Sequence, residues 1–152
     1  MAEVLAGDYS VSDDQNRLDS RAIHAYLTRA YWSEGIPLAT VERALAGSFC
    51  VGAYTRSWDQ VGLVRIVTDS ATFAYICDVY VLEDHRSRGL SKAMMAFVDQ
   101  HPQLQGLRRW NLVTRDAHQL YARYGFKPAA APDRYMERLT PNIYLNRQSQ
   151  PG

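Results

Sequence analysis

At 152 residues, 47% of them hydrophobic and 22% charged, the chain has the size and balance of one domain around a single apolar core. A net charge of +1 supplies no global field for nucleic acid or an anionic membrane surface, so any phosphate site must be local. No apolar run approaches the roughly 18 residues of a membrane helix, the first five residues lack the features of a secretory signal, and Cys50 and Cys77 sit inside apolar strand-like runs; these point to a reducing cytoplasm without a disulfide framework.

Residues 4–11 read as a first strand. Over 19–30 the apolar positions Ile23, Leu27 and Ala30 recur at helical spacing, and Gly35 and Pro37 then mark a turn. A second helix is predicted over 38–46, with Val41 and Leu45 on one face. The period then changes: 48–55, 60–68 and 72–82 are rich in Val, Ile, Phe and Tyr and read as three strands. A helix follows over 89–101, burying Leu90, Met94, Phe97 and Val98 and stopped by Pro102. Then come a strand over 107–114, a short helix over 117–124 closed by Gly125, and a last strand over 132–139. The order implies an α+β fold, with a mixed sheet flanked by helices, as one domain over 1–140 and a loosely held tail over 141–152.

The chemistry concentrates in the run from Asp78 to Lys92. A buried strand ends, a turn carries Arg86, Ser87, Arg88 and Gly89, and a helix opens with Leu90, Ser91 and Lys92. The first amides of a helix have no internal partner and lie at its positive end, and a glycine there admits close approach, so the pattern suits a pyrophosphate. Taken alone it reads equally well as a plain basic turn. The four histidines show no metal spacing and neither cysteine has a neighbouring ligand, so no metal is expected.

Arg86-Ser87-Arg88-Gly89-Leu90-Ser91 resembles the Arg/Gln-x-x-Gly-x-Gly/Ala signature with which the GCN5-related N-acetyltransferase (GNAT) superfamily binds the coenzyme A pyrophosphate; Ser91 departs from it while staying small. One helix and one strand downstream, Ala117-His118-Gln119-Leu120-Tyr121-Ala122-Arg123-Tyr124-Gly125-Phe126 resembles the family's Ala-x-x-Leu-Tyr-x-x-x-Gly-Phe element. The likeness covers nearly the whole chain and weakens in the first helices and the tail. It implies a GNAT-type fold with a mostly antiparallel sheet, acetyl-CoA as co-substrate, and acetyl transfer to a primary amine of a small molecule, amino acid or peptide.

Attack of an amine on a thioester needs a neutral amine, a stabilised oxyanion and a proton for the departing thiolate. The resemblance makes Tyr121 the acid that protonates the thiolate; a tyrosine there also packs a helix on a sheet. It places Tyr80, Val81 and Leu82 along the cofactor, with free backbone amides at a strand bulge, and Arg86, Ser87, Arg88, Gly89, Leu90, Ser91 and Lys92 at its phosphates. Asp78, amid apolar neighbours, is either the base or the ion-pair partner of an arginine such as Arg65. Tyr31 and Trp32 form an acceptor-pocket wall or an aromatic anchor, and the two are compatible. An acidic pocket of Asp78 with Glu34 or Asp69 would suit a cationic amine, and an arginine-lined one the carboxylate of an amino acid. No nucleic-acid or membrane partner is expected, and the resemblance allows a homodimer. The competing reading is a non-catalytic acyl-CoA-binding module of the same fold; the presence of Tyr121 and both arginines favours the enzyme.

Overall fold

Asp19 sets the first long helix in place: its carboxylate accepts the amide of Ala22, capping α1 (Ser20–Leu27), whose Ile23 and Leu27 are buried. In the computed structural model, which describes residues 2–146, α2 (Leu38–Ala46) follows Pro37 and buries Val41 and Leu45. The chain before α1 corrects the expected single strand over 4–11. Gly7, at φ 62°, makes a two-residue turn with Asp8 and folds the segment into β1 (Glu3–Ala6) and β2 (Tyr9–Ser12).

The remaining strands are β3 (Phe49–Tyr54), β4 (Gln60–Thr68), β5 (Phe73–Val81) and β6 (Arg109–Leu112). They lie in the sheet in chain order, β1-β2-β3-β4-β5-β6, with every neighbour antiparallel except the β5–β6 pair. The parallel pair requires a crossover, which α3 (Leu90–Gln100) provides. The expected mixed, mostly antiparallel sheet flanked by helices is therefore observed. α3 covers one face, packing Met94 and Val98 over Val51, Val64 and Ile66. The α1–α2 hairpin covers the other over Cys50, Leu63 and Tyr80. His101, between Phe49 and Phe97, ties the end of α3 to Asp13 through Nε2, 2.6 Å from Oδ2.

Two irregularities of β5 decide what the fold can do. Arg65 pairs with Asp78 and Ile66 with Ile76, so Cys77 is an extra residue on β5, a bulge. It puts the side chains of Cys77 and Asp78 on the same, α1–α2 side of the sheet, whereas a regular strand alternates. Second, β6 pairs only with Phe73–Ile76, leaving Cys77–Val81 without a strand partner on that side.

After β6 comes α4 (His118–Ala122). The strand expected over 132–139 is absent: only a single 3-10 turn, Pro132–Arg134, forms there, and the stretch is exposed, Met136 at 96%. Pro132 withholds one amide and the charges of Asp133, Arg134, Glu137 and Arg138 interrupt any apolar face, so strand propensity at Tyr135 and Met136 finds nothing to pair with. Within the tail from 141, α5 (Ile143–Asn146) makes one helical turn, and Tyr144 packs against the α1–α2 cluster. Residues 147–152 lie outside the described residues.

Candidate active site

The gap between β5 and β6 opens toward the N-terminus of α3 and toward α4. The turn leading into α3 carries two residues at positive φ, Ser87 at 63° and Gly89 at 78°. An added Cβ at Gly89 would meet nothing within 4 Å, so glycine is required there by conformation and leaves space open in front of the helix. No side chain caps α3, and its leading amides, those of Leu90, Ser91 and Lys92, stand at the positive end of an 11-residue helix. Arg88 is exposed and makes no hydrogen bond or ion pair among the described residues. Arg86 differs: its Nε donates to the Val81 carbonyl at 2.9 Å and its Nη2 to the Tyr26 hydroxyl at 3.2 Å, so it braces the turn against β5 and α1. His85 fastens the same turn to β2, with Nδ1 2.8 Å from the Tyr9 hydroxyl.

Tyr121 lies across the gap on α4. The helix ends in a Schellman arrangement: Gly125 takes φ 86°, its amide donates to the Ala122 carbonyl and that of Phe126 donates to Tyr121. Phe126 thereby folds back, its ring 6.0 Å from that of Tyr121 and 6.2 Å from that of Trp110. This is the physical content of the Leu-Tyr-x-x-x-Gly-Phe pattern, in which a left-handed glycine returns an aromatic under the tyrosine. Tyr121 is 8% exposed, and burial raises its pKa, with a smaller contribution from Tyr31. Its hydroxyl makes no hydrogen bond among the described residues, yet it is not sealed; the one fully enclosed, unpartnered side-chain polar atom among them is the Tyr54 hydroxyl. The phenol is thus a free donor that stays protonated above the usual tyrosine range.

Asp78, on the other side of the bulge, is 5% exposed and doubly held. Arg65 Nε donates to its Oδ2 at 2.5 Å and Trp32 Nε1 to its Oδ1 at 2.6 Å. Arg65 also donates to Ser48 Oγ at 3.0 Å. Asp78 pairs with Arg65, and Trp32 is anchored to it while lining the adjoining cavity. Tyr31, 5.1 Å from Trp32 ring to ring, extends the aromatic edge to the β6–α4 turn, where the Arg115 guanidinium lies 4.0 Å from its ring centroid. Tyr80 stacks on Tyr26 at 4.0 Å, and burial raises its pKa. Val81 is buried against the α3 side and Leu82 contacts both apolar clusters.

Beneath Trp32 lies a cavity of about 220 Å³ between the α1–α2 hairpin and β4–β5. Leu27, Ile36, Val41 and Leu45 make its apolar walls, Arg65 and Asp78 its polar floor, and Tyr144 closes one side. Glu34 and Asp69 do not line it. Asp69 is spent on the β4–β5 turn, where hydrogen bonds from Thr72 and Ala71 hold its carboxyl well below the usual range. Tyr121 is not among the lining residues either; Trp32 lines the cavity, and Tyr31 beside it contributes to raising the Tyr121 pKa. Sequence reasoning missed Tyr144, whose tail shows no apolar period, and the Tyr31–Arg115 contact, which joins loops 84 positions apart.

A GNAT acetyltransferase domain model matches residues 47–128, from the start of β3 to just past α4. The chain belongs to the GNAT acetyltransferase family. A Gibberella zeae protein named as a putative acetyltransferase is 34% identical over 139 residues, covering 77% of each chain. The crystal structure of a putative GNAT-family acetyltransferase from Xanthomonas campestris pv. campestris superposes with a TM-score of 0.87 at 50% identity, over 90% of this chain and 96% of that one. One of a putative acetyltransferase from Deinococcus radiodurans R1, at 24% identity and a TM-score of 0.67 over all of both chains, shares the fold.

Proposed function

We propose that this GNAT protein is an acetyl-CoA-dependent N-acetyltransferase, acting in the cytoplasm on a primary amine of a small molecule or peptide. The observation that carries the reading is the split between β5 and β6, with an uncapped helix end and the free Arg88 on one side and an unpartnered, protonated tyrosine on the other. Acetyl-CoA supplies a thioester whose carbonyl carbon the amine attacks, with the thiolate as leaving group. The amides of Leu90, Ser91 and Lys92, with Arg88, Ser87 and Gly89, are the donors suited to its phosphates, and Arg86 holds their turn in shape. The stretch from Tyr80 to Leu82 has no strand partner on the β6 side and is suited there to the pantetheine arm.

Tyr121 then donates the proton the leaving sulfur needs, its burial keeping that proton in place. Asp78 is our candidate for receiving the acceptor's proton. It is the one carboxylate lining the cavity, and it can hold a cationic amine until that proton departs. A coenzyme A release assay with a panel of amines tests the scheme. Tyr121→Phe should lower kcat about 100-fold with acetyl-CoA affinity unchanged, and Arg88→Ala should weaken acetyl-CoA binding. Binding without turnover on any amine would instead favour an acyl-CoA-binding module, and loss of binding in the native protein would end both readings.

A further inference from the structure

Arg65 has more donors than the protein uses. Of its five N–H groups, Nε is committed to Asp78 and one on Nη1 to Ser48, while Nη2 has no hydrogen-bond partner among the described residues. None of its nitrogens is both sealed and unpaired, and the side chain, 18% exposed, lines the cavity. A guanidinium facing an apolar cavity with donors to spare is a site for a planar anion, because polar groups withdrawn from water are ordinarily matched. Beside it, Asp78 oxygens accept one bond each from the protein and retain lone pairs. The floor is therefore dipolar and close to neutral, under walls that are aliphatic where α1 and α2 supply them, through Leu27, Val41, Ala44 and Leu45, and aromatic at Trp32 and Tyr144. A volume of about 220 Å³ equals about seven waters' share of liquid, enough for one small molecule and little more.

We propose that this cavity takes a free α-amino acid with an aliphatic side chain: the carboxylate on the spare donors of Arg65, the ammonium beside Asp78, the side chain against Ile36, Val41 and Leu45. The proposal rests on the transferase reading and names its acceptor class. A polyamine or aminoglycoside is disfavoured by the same floor, since Arg65 neutralises the only carboxylate lining the cavity among the described residues and repels added cations.

L-Leucine and L-leucinamide, which differ only in the carboxylate, separate the possibilities when titrated calorimetrically into the protein with and without coenzyme A, then compared as acceptors. L-Leucine should bind at least about tenfold tighter, since a site built to pair a group rejects analogues lacking it. Arg65→Lys, which keeps the charge pair but loses the fork, should erase that preference while melting normally. Should Arg65→Lys fail to fold, Ala44→Leu, which fills the cavity from α2, should weaken leucine binding and leave acetyl-CoA binding intact. Equal binding of the two compounds, or none of leucine, overturns the proposal. Acetyl-CoA binding and turnover of other amines in that event would leave the transferase reading standing, whereas failure of acetyl-CoA to bind would remove that reading while the leucine titration still decides this one.

Discussion

Tyr54 is 1% exposed and carries a hydroxyl with no partner among the described residues, while its ring lies over Gly52, where a Cβ would come within 2.8 Å of three ring and hydroxyl atoms. A buried donor left unpaired costs about 1–3 kcal/mol, so Tyr54→Phe should stabilise the protein by about 1 kcal/mol, raising Tm by about 3 °C in a scanning calorimeter. Asp78 is the opposite case, a buried charge with a donor on each of its carboxylate oxygens. The sequence distinguishes these two residues poorly. An aspartate among apolar neighbours announces that something must pair with it, and Arg65 is the evident partner on the adjacent strand. A tyrosine in an apolar strand gives no sign that its hydroxyl is orphaned, because that depends on a glycine two residues away clearing room for the ring.

At the level of elements, local pattern located most of the chain. α2 and β4 fall at their expected limits, and α1, β3, β5, α3, β6 and α4 lie within theirs, because each carries its own period, cap or stop. Two errors have one cause. The Gly7 turn inside the first strand and the missing strand over 132–139 depend on whether an apolar run has a neighbour to pair with, which no window of sequence contains. The bulge at Cys77 was legible only through the family likeness, since the run from Tyr75 to Val81 shows no extra residue by itself. Deleting Cys77 tests what the bulge contributes. The faces of Ile76, Asp78 and Val79 are preserved, but β5 straightens and can continue along β6. The variant should fold, by circular dichroism, and lose at least about 1.4 kcal/mol of acetyl-CoA binding, a factor of ten by calorimetry.

For the molecule as a whole, alkaline pH is the revealing perturbation. Burial raises the pKa of Tyr54, Tyr75, Tyr80 and Tyr121, and pushes the Cys50 thiol up to about 12. Below their ordinary values all of these groups are protonated whether the chain is folded or not and contribute no pH dependence. As pH rises past about 9–10, the unfolded chain ionises first and binds fewer protons, so stability falls progressively toward the raised folded values. Urea titrations from pH 8 to 11 should show this decline as a falling midpoint, with the phenolate absorbance of these four buried tyrosines held back until the chain unfolds. Burial holds the Tyr121 proton above the ordinary phenol range, so on the transferase reading activity should persist to higher pH than a free phenol would allow, checked by a pH profile of kcat.

A sheet whose strands follow chain order can be built by adding each strand beside the one just made, so most of its pairing closes over short loops. The exceptions are the β2–β3 pair, which waits for the α1–α2 hairpin, and the parallel pair, which waits for the whole of α3 before Phe73 can meet Arg109. The joint beside the gap is thus the last to close during synthesis, and it rests on a four-residue edge strand. Amide exchange at Trp110–Leu112 should accordingly outpace that of β3 and β4, and a ribosome-bound chain ending before residue 109 should hold a formed β3–β4–β5 meander that has no gap in which to bind.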